Sequence, residues 1–227
     1  MAQDENVFLF DVDNTLIDND RIADDLRRHL TTHVGEEGQA KYWEYFEQIR
    51  AELGYADYLG ALQRYRIAYP RDFHILAVTY FILDYHFANR LFPASLDALE
   101  HFGKEGPTVL LTDGDVVFQP HKIERSGLLE AVGGRVLLYI HKEKNLDDVA
   151  ERYPSRHYVL FDDKVRILAA VKKIWGARVT TVFPRQGHYA NDPAELAKYP
   201  APDVTVERIS EVLAYDPKRL RAAASLG

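Results

Sequence analysis

The sequence contains no cysteine among its 227 residues. This absence excludes disulfide scaffolds, zinc sites with thiolate ligands and cysteine nucleophiles, and it is consistent with a reducing compartment. The sequence also lacks any apolar run that approaches the roughly 20 residues needed to cross a bilayer. The acidic start of the chain has no apolar stretch long enough for a secretory signal. We therefore expect a cytoplasmic protein that does not bind membranes.

Basic residues are the minority of the charged residues, with 28 Lys and Arg against 35 Asp and Glu, which gives a formal net charge of −7. Nucleic-acid binding requires clustered positive charge that neutralises phosphates, and the sequence shows no basic patch. We therefore expect no nucleic-acid partner. Because 47% of the residues are hydrophobic and 12% are aromatic, the chain is able to bury a sizeable core. The sequence carries no signal for the oligomeric state.

Five apolar, β-prone segments each end abruptly in polar residues. They are residues 7–10, 108–111, 135–140, 158–161 and 178–183. Helix-like stretches lie between or beside them, at residues 95–102, 119–129, 146–153 and 165–175. Alternating strands and helices favour right-handed crossovers and a parallel sheet. The predicted fold class is therefore α/β.

Residues 18–91 interrupt this alternation, because they contain no convincing buried strand. Aromatic and aliphatic residues recur there at helical spacing, for example Tyr42, Phe46 and Ile49. This aromatic stripe is more typical of helix packing than of a substrate pocket. We predict a small all-helical cap domain at residues 18–91 and a core at residues 1–17 and 92–227. Residues 222–227 are expected to be a frayed tail.

Polar residues follow the predicted strands where the carboxyl ends of a parallel sheet meet, which is where open α/β sheets bind ligands. The set comprises Asp11, Asp13, Thr112, Asp113, Lys142, Asp162 and Asp163. Carboxylates packed together repel one another and raise one another's pKa unless a cation neutralises them. Mg²⁺ prefers such oxygen ligands and binds substrate phosphate as well. The sequence therefore predicts a magnesium site that lies close to a phosphate site.

Asp11 and Asp13 suit a division of labour between a nucleophile and an acid/base. An aspartate that attacks phosphorus splits one difficult displacement into two easier ones, and a second carboxyl group is able to protonate the leaving oxygen and then deprotonate water. Thr112, the backbone N–H groups of Asp113 and Gly114, and a lysine are suited to hold the phosphoryl oxygens.

Four motifs in this order resemble those of the haloacid dehalogenase superfamily. They are DVDNTL at residues 11–16, LLTDG at 110–114, a lysine within HKEK at 141–144, and LFDD at 160–163. The resemblance covers the whole chain, and the helical insert follows the first motif as in superfamily members with a helical cap. It implies a Rossmann-like three-layer core, dependence on Mg²⁺, and most often hydrolysis of small phosphate esters.

The resemblance also implies a role for individual residues. Asp11 would be the nucleophile and a metal ligand, and Asp13 the acid/base with its carbonyl oxygen on the metal. Thr112 would bind phosphate, and Asp162 would bind the metal.

Three departures from the superfamily pattern bear on these roles. The third-motif lysine usually precedes a proline, which neither Lys142 nor Lys144 does, and we favour Lys142 because it lies nearer the predicted strand end. The fourth motif has no later acid, so Asp163 is assigned as the second acid and a metal ligand. Dehalogenases of the superfamily lack an acid at the position of Asp13, so its presence favours phosphate chemistry.

The predicted function is Mg²⁺-dependent hydrolysis of a small phosphorylated metabolite through an aspartyl-phosphate on Asp11. A phosphotransferase or phosphomutase with the same nucleophile, a non-catalytic binding protein and a dehalogenase are the alternatives, and the sequence does not name the substrate. The segment after the fifth strand, QGHY at 186–189, is either a rim of the site or an ordinary loop. His121 and His141 are expected to be loop or capping residues rather than metal ligands.

Overall fold

The computed structural model describes residues 4–217 and 220, so the predicted tail at 222–227 lies outside the described residues. A central sheet contains six parallel strands in the order β3-β2-β1-β4-β5-β6. The strands are β1 (Asp4–Phe10), β2 (Thr108–Asp113), β3 (Val136–Tyr139), β4 (Ser155–Phe161), β5 (Val179–Pro184) and β6 (Val204–Val206). The predicted α/β fold with a parallel sheet is confirmed. β6 was not predicted, because three residues are too few to form a recognisable apolar run.

Both faces of the sheet are covered, as alternation along β1 illustrates. Val7 and Leu9 pack into one apolar cluster, whereas Phe8 and Phe10 pack into the other, and all four side chains are fully buried. Burial of each such side chain stabilises the fold by about 1.5–3 kcal/mol. The result is the predicted three-layer, Rossmann-like core.

The segment between β1 and β2 begins with three helices, α1 (Asn19–Leu53), α2 (Tyr58–Ala68) and α3 (Ile75–Leu83). Gly35 interrupts α1 at a φ of 74°, a conformation that favours glycine. Tyr42 and Phe46 are buried on the inner face of α1, as their spacing predicted. The rings of Tyr58 and Phe118 lie 5.3 Å apart, so the apolar cluster continues from the insert into the core. The domain boundaries at residues 17 and 91 stay a prediction.

The remaining α-helices of the described residues are α4 (Ser95–Gly103), α5 (Phe118–Arg125), α6 (Leu128–Ala131), α7 (Leu146–Arg152), α8 (Val165–Trp175), α9 (Gly187–Ala190) and α10 (Pro193–Leu196). The prediction of one helix at residues 119–129 was wrong. Gly127 adopts a φ of 84° between α5 and α6, which ends the first helix. In the described part of the chain, no helix has the length and apolarity that a membrane crossing requires.

Candidate active site

Asp11 follows β1 directly, at the carboxyl edge of the sheet and between β2 and β4. Its backbone N–H donates to Phe161 O at 2.9 Å, which continues the pairing of β1 with β4 by one residue. Its side chain is almost completely buried, and this burial raises the pKa of Asp11 to about 6 although the nearby Lys142 ammonium opposes the shift. The chain runs from β1 through β2 to β3 on one side of β1 and then crosses to β4 on the other side, so Asp11 lies where the strand order reverses, which is where α/β folds bind ligands.

Lys142 is held beside Asp11 by a short 3₁₀ turn that follows β3. Its backbone N–H donates to Asp113 Oδ1 at 2.8 Å. Its Nζ donates to Asp11 Oδ1 and lies 2.6 Å from Asp162 Oδ2. Burial alone would lower the pKa of Lys142, but these carboxylates outweigh that effect and raise it above its ordinary value. The lysine is therefore charged, whereas Lys144 is exposed to solvent.

The carboxylates of Asp11, Asp162 and Asp163 form a compact acidic triad, with one oxygen from each lying within 4.8 Å of the others. All three side chains are buried, and neither carboxylate oxygen of Asp163 has a hydrogen-bond partner within the described part of the chain. Burial raises the pKa of Asp163 well above its ordinary value, against the effect of the adjacent Lys164. Buried oxygen atoms without partners are unfavourable, and hard oxygen donors are the ligands of Mg²⁺. The triad therefore fits a divalent metal ion.

The carboxylate of Asp13 is directed to a different partner. Its Oδ1 forms an ion pair with Nζ of Lys122, a residue of α5 whose side chain is 1% exposed. The Lys122 ammonium also donates to Asn19 Oδ1 at 3.2 Å. The Asp13 side chain retains 25% of its exposure. The four aspartates predicted as metal ligands thus all follow strands at this edge of the sheet, but the Asp13 carboxylate is held outside the triad by Lys122.

The second motif supplies fewer free donors than we expected. The N–H of Gly114 donates to Tyr139 O at 3.1 Å, because the pairing of β2 with β3 extends one residue further. The prediction that this N–H binds phosphate was therefore wrong. The Thr112 hydroxyl is buried and accepts a hydrogen bond from Gln119 Nε2 at 2.9 Å. Burial raises the pKa of Asp113 to about 6, and its carboxylate orients the Lys142 turn.

The segment after β5 packs against the loop that follows Asp11. Gln186 Nε2 donates to Thr15 O at 3.1 Å. At Gly187, which has a φ of 71°, a Cβ atom would lie 2.6 Å from the Asn14 side chain. His188 Nδ1 lies 2.6 Å from Asp20 Oδ1 at the start of α1. This segment therefore borders the first-motif loop, as the rim alternative requires.

Of the two histidines near the second and third motifs, neither belongs to the acidic triad. His121 lies within α5 rather than in a loop, and its Nε2 lies 2.7 Å from Leu83 O. His141 precedes the 3₁₀ turn of Lys142.

Two lysines of the site were not singled out from the sequence. Lys164 follows the triad directly, and its Nζ lies 5.4 Å from the centre of the Tyr189 ring. Burial would lower the pKa of Lys164, but Asp163, Asp11 and Asp162 raise it above its ordinary value. Lys122 belongs to the buried face of α5 with Phe118, four residues earlier. A lysine at that helical spacing is a signal that could have identified it.

Comparison with solved structures identifies the family. The chain is 60% identical to a haloacid dehalogenase-like hydrolase from Burkholderia xenovorans LB400, over 96% of this chain and 99% of that chain, with a TM-score of 0.90. The chain belongs to the haloacid dehalogenase-like hydrolases.

This haloacid dehalogenase-like hydrolase shares its fold with more distant structures. A hydrolase of the same family from Bacillus subtilis, bound to magnesium, is 14% identical over 93% of this chain and 98% of that chain, with a TM-score of 0.60. The L-2-haloacid dehalogenase from Xanthobacter autotrophicus, with chloropropionic acid covalently bound, is 15% identical over 96% of this chain and 98% of that chain, with a TM-score of 0.59. At these identities the likeness concerns the fold alone. No family model and no curated protein matches the chain.

Proposed function

We propose that this haloacid dehalogenase-like hydrolase is a Mg²⁺-dependent phosphatase of small phosphate monoesters. The observation that carries the proposal is the buried triad of Asp11, Asp162 and Asp163, in which both oxygens of Asp163 lack a partner among the described residues. A divalent cation satisfies these oxygens, and phosphoryl transfer makes direct use of such a cation. Displacement of a halide from carbon does not require one.

The reaction begins with attack of an Asp11 carboxylate oxygen on phosphorus. The bond between phosphorus and the ester oxygen breaks with its electron pair on the ester oxygen, and Asp13, which enters this step as the neutral acid, supplies the proton to that oxygen and becomes the carboxylate. Asp13 then takes a proton from the water that attacks the aspartyl-phosphate. This second displacement releases phosphate and regenerates the Asp11 carboxylate.

The cationic groups of the site balance the charge of the phosphoryl group. Lys142 is charged, buried and in contact with Asp11, so it faces the oxygens that carry the developing charge. Thr112 and Asp113, the last two residues of β2, would bind the phosphoryl group as well. The metal ligands would be Asp11, Asp162, Asp163 and the carbonyl of Asp13. The chemistry that Mg²⁺ supplies when bound is neutralisation of the repulsion between these carboxylates and the phosphate.

Dehalogenation is the second candidate. The fold that the chain shares with an L-2-haloacid dehalogenase supports it. The ion pair between Asp13 and Lys122 also supports it, because Asp11 is then the one first-motif residue whose carboxylate belongs to the triad. Phosphotransfer would use the same nucleophile but would pass the phosphoryl group to an acceptor other than water. A binding protein on the same fold would do neither.

One panel of assays separates these functions. The purified protein is incubated with small phosphate monoesters and, separately, with 2-chloropropionate, each in Mg²⁺ and in EDTA. We expect release of inorganic phosphate that requires Mg²⁺ and is lost in Asp11→Asn. Halide release that persists in EDTA would instead establish dehalogenation, and phosphate transfer that occurs only with an added acceptor alcohol would establish a transferase.

A further inference from the structure

Lys122 is a buried lysine that none of the steps proposed above uses. Its side chain is 1% exposed and lies on the inner face of α5 with Phe118 and Ile123. A buried ammonium group is strongly unfavourable unless it is paired and hydrogen-bonded. The burial of Lys122 is therefore explained by the partners of its ammonium group.

Three contacts fix the position of the Lys122 ammonium. It forms an ion pair with Asp13 Oδ1, it donates to Asn19 Oδ1 at 3.2 Å, and it lies 5.7 Å from the centre of the Phe118 ring. Asn19 belongs to α1 and Phe118 to α5, so the Lys122 ammonium group is held by two helices. It therefore has little freedom to follow a rotation of the Asp13 side chain. The orientation of the Asp13 carboxylate is consequently set by Lys122.

The same contacts connect Asp13 to the helices that follow the first motif. Asn19 Nδ2 lies 3.4 Å from the hydroxyl oxygen of Tyr58, and the Tyr58 ring packs against Phe118. Tyr58 is the first residue of α2. The position of the lysine thus depends on the packing of α1 and α2 over α5.

We propose that Lys122 is a positioning residue for Asp13, which fixes the carboxylate in the orientation from which it exchanges protons with the ester oxygen and with water. This inference rests on the proposed phosphatase function. It adds a residue of α5 that no motif contains.

The proposal makes the effect of Lys122 depend on the leaving group. An alkyl alcohol leaves poorly unless its oxygen is protonated, whereas 4-nitrophenolate leaves without a proton. The parameter kcat/KM reports the first step alone, which ends with formation of the aspartyl-phosphate and departure of the alcohol. Loss of a correctly oriented acid should therefore lower kcat/KM for an alkyl ester and spare it for the nitrophenyl ester.

The experiment compares glycerol 1-phosphate with 4-nitrophenyl phosphate in the full-length protein with Mg²⁺. The variants are Lys122→Met, Lys122→Arg and the control Lys172→Met. Lys172 is a matched control because it is partly buried and ion-paired, with Asp203 Oδ2 at 2.8 Å, and it belongs to α8 rather than to the site. Circular dichroism and thermal unfolding report whether each variant folds.

We expect Lys122→Met to lower kcat/KM for the alkyl ester by about 10²-fold and for the nitrophenyl ester by less than about threefold, since acid/base catalysis contributes about 10²–10⁴-fold. Lys122→Arg should recover most of the lost kcat/KM for the alkyl ester. Lys172→Met should leave the ratio of kcat/KM for the two esters unchanged. If Lys122→Met lowers kcat/KM equally for the two esters, or lowers it for neither, the proposal is overturned. If the wild-type protein hydrolyses neither ester, the phosphatase function is wrong and this inference with it.

A double variant keeps the proposal testable if Lys122→Met does not fold. Asp13→Asn/Lys122→Met removes both members of the ion pair, which is far less destabilising than leaving one charge buried alone. If Lys122 acts through Asp13, the double variant hydrolyses the alkyl ester as slowly as Asp13→Asn and no slower. A further tenfold loss in the double variant would show that Lys122 does not act through Asp13.

Discussion

Lys142 Nζ donates a hydrogen bond to Asp11 Oδ1, although the two residues are separated by 131 positions in the sequence. Asp11 follows β1 and Lys142 follows β3, so the lysine side chain crosses the end of β2, where Leu111 O accepts a second hydrogen bond at 3.2 Å. Both charged groups are buried. A buried pair of this kind is costly to break from one side.

Replacement of Lys142 by methionine should therefore impair both folding and turnover. Removal of one partner of a buried ion pair costs about 3–5 kcal/mol, so we expect a clear fall in the free energy of unfolding and loss of phosphate release. Lys144→Met is the matched control, because Lys144 is exposed and two residues away; its unfolding free energy should change by no more than about 0.5 kcal/mol. Chemical denaturation and phosphate release measure the two effects, and equal behaviour of the two variants would contradict the role of Lys142.

Asp11→Asn should abolish turnover without destabilising the protein. Burial raises the pKa of Asp11 from 3.8 to about 6. A group with a raised pKa contributes stability below its unfolded value, here 3.8, and loses that contribution as the pH rises through about 6. At pH 7 the charged aspartate is therefore a net cost that the neutral asparagine removes. Unlike Lys142→Met, this substitution leaves no buried charge alone, because Lys142 keeps its ion pair with Asp162. We expect kcat with Mg²⁺ to fall by at least about 10³-fold while Tm at pH 7 in EDTA stays equal or rises, and a lower Tm in EDTA would contradict this account of the site.

Asp163 provides a test of metal binding that does not depend on catalysis. Its two carboxylate oxygens have no hydrogen-bond partner among the described residues. We therefore predict that Mg²⁺ raises Tm, since a ligand at about 100 times its Kd stabilises a protein by about 2.7 kcal/mol. In a chain of this length that corresponds to about 5–10 °C. Asp163→Asn should have a higher Tm than the wild type in EDTA and a smaller increase with Mg²⁺. Thermal unfolding of both proteins with and without Mg²⁺ measures this, and an identical increase in the variant would exclude Asp163 as a ligand.

The parts of the fold and site that the sequence predicted depend on local patterns. The apolar run from Val7 to Phe10 gives way abruptly to Asp11, and the same change at Phe161 precedes Asp162. The carboxyl ends of parallel strands meet at one edge, so these local changes are sufficient to gather Asp11, Asp162 and Asp163. No long-range contact had to be inferred.

The parts that the sequence did not predict depend on pairing between distant segments. The Gly114 N–H is not free because β3 extends to Tyr139, whose carbonyl oxygen accepts its hydrogen bond. The sequence around Gly114 does not indicate how far β3 extends. Lys122 joins the site because α5 packs beneath the start of α1 and α2, where it reaches Asp13. The buried spacing of Phe118 and Lys122 indicates an inward-facing lysine, but not which carboxylate it meets.

Asp25 of α1 connects the insert to the chain segment that returns to the core. Asp25 accepts hydrogen bonds from Tyr85 and from Arg90, with Arg90 Nη2 at 2.6 Å. Burial would raise the pKa of Asp25, but these hydrogen bonds and the Arg90 charge outweigh it and hold the pKa below its ordinary 3.8. A lowered pKa contributes stability above the unfolded value, and this contribution is lost as the pH falls through the folded value.

Asp25→Asn should therefore be less stable than the wild type at pH 7, by about 1 kcal/mol, and the difference should shrink as the pH falls below 3.8. Asp24→Asn is the matched control, because the Asp24 side chain is 52% exposed and pairs only at the surface with Arg27; exposed pairs contribute about 0–1 kcal/mol. Urea denaturation from pH 7 to pH 3 measures both variants. A stability difference for Asp25→Asn that does not change with pH would show that the loss comes from packing rather than from the charge of the carboxylate.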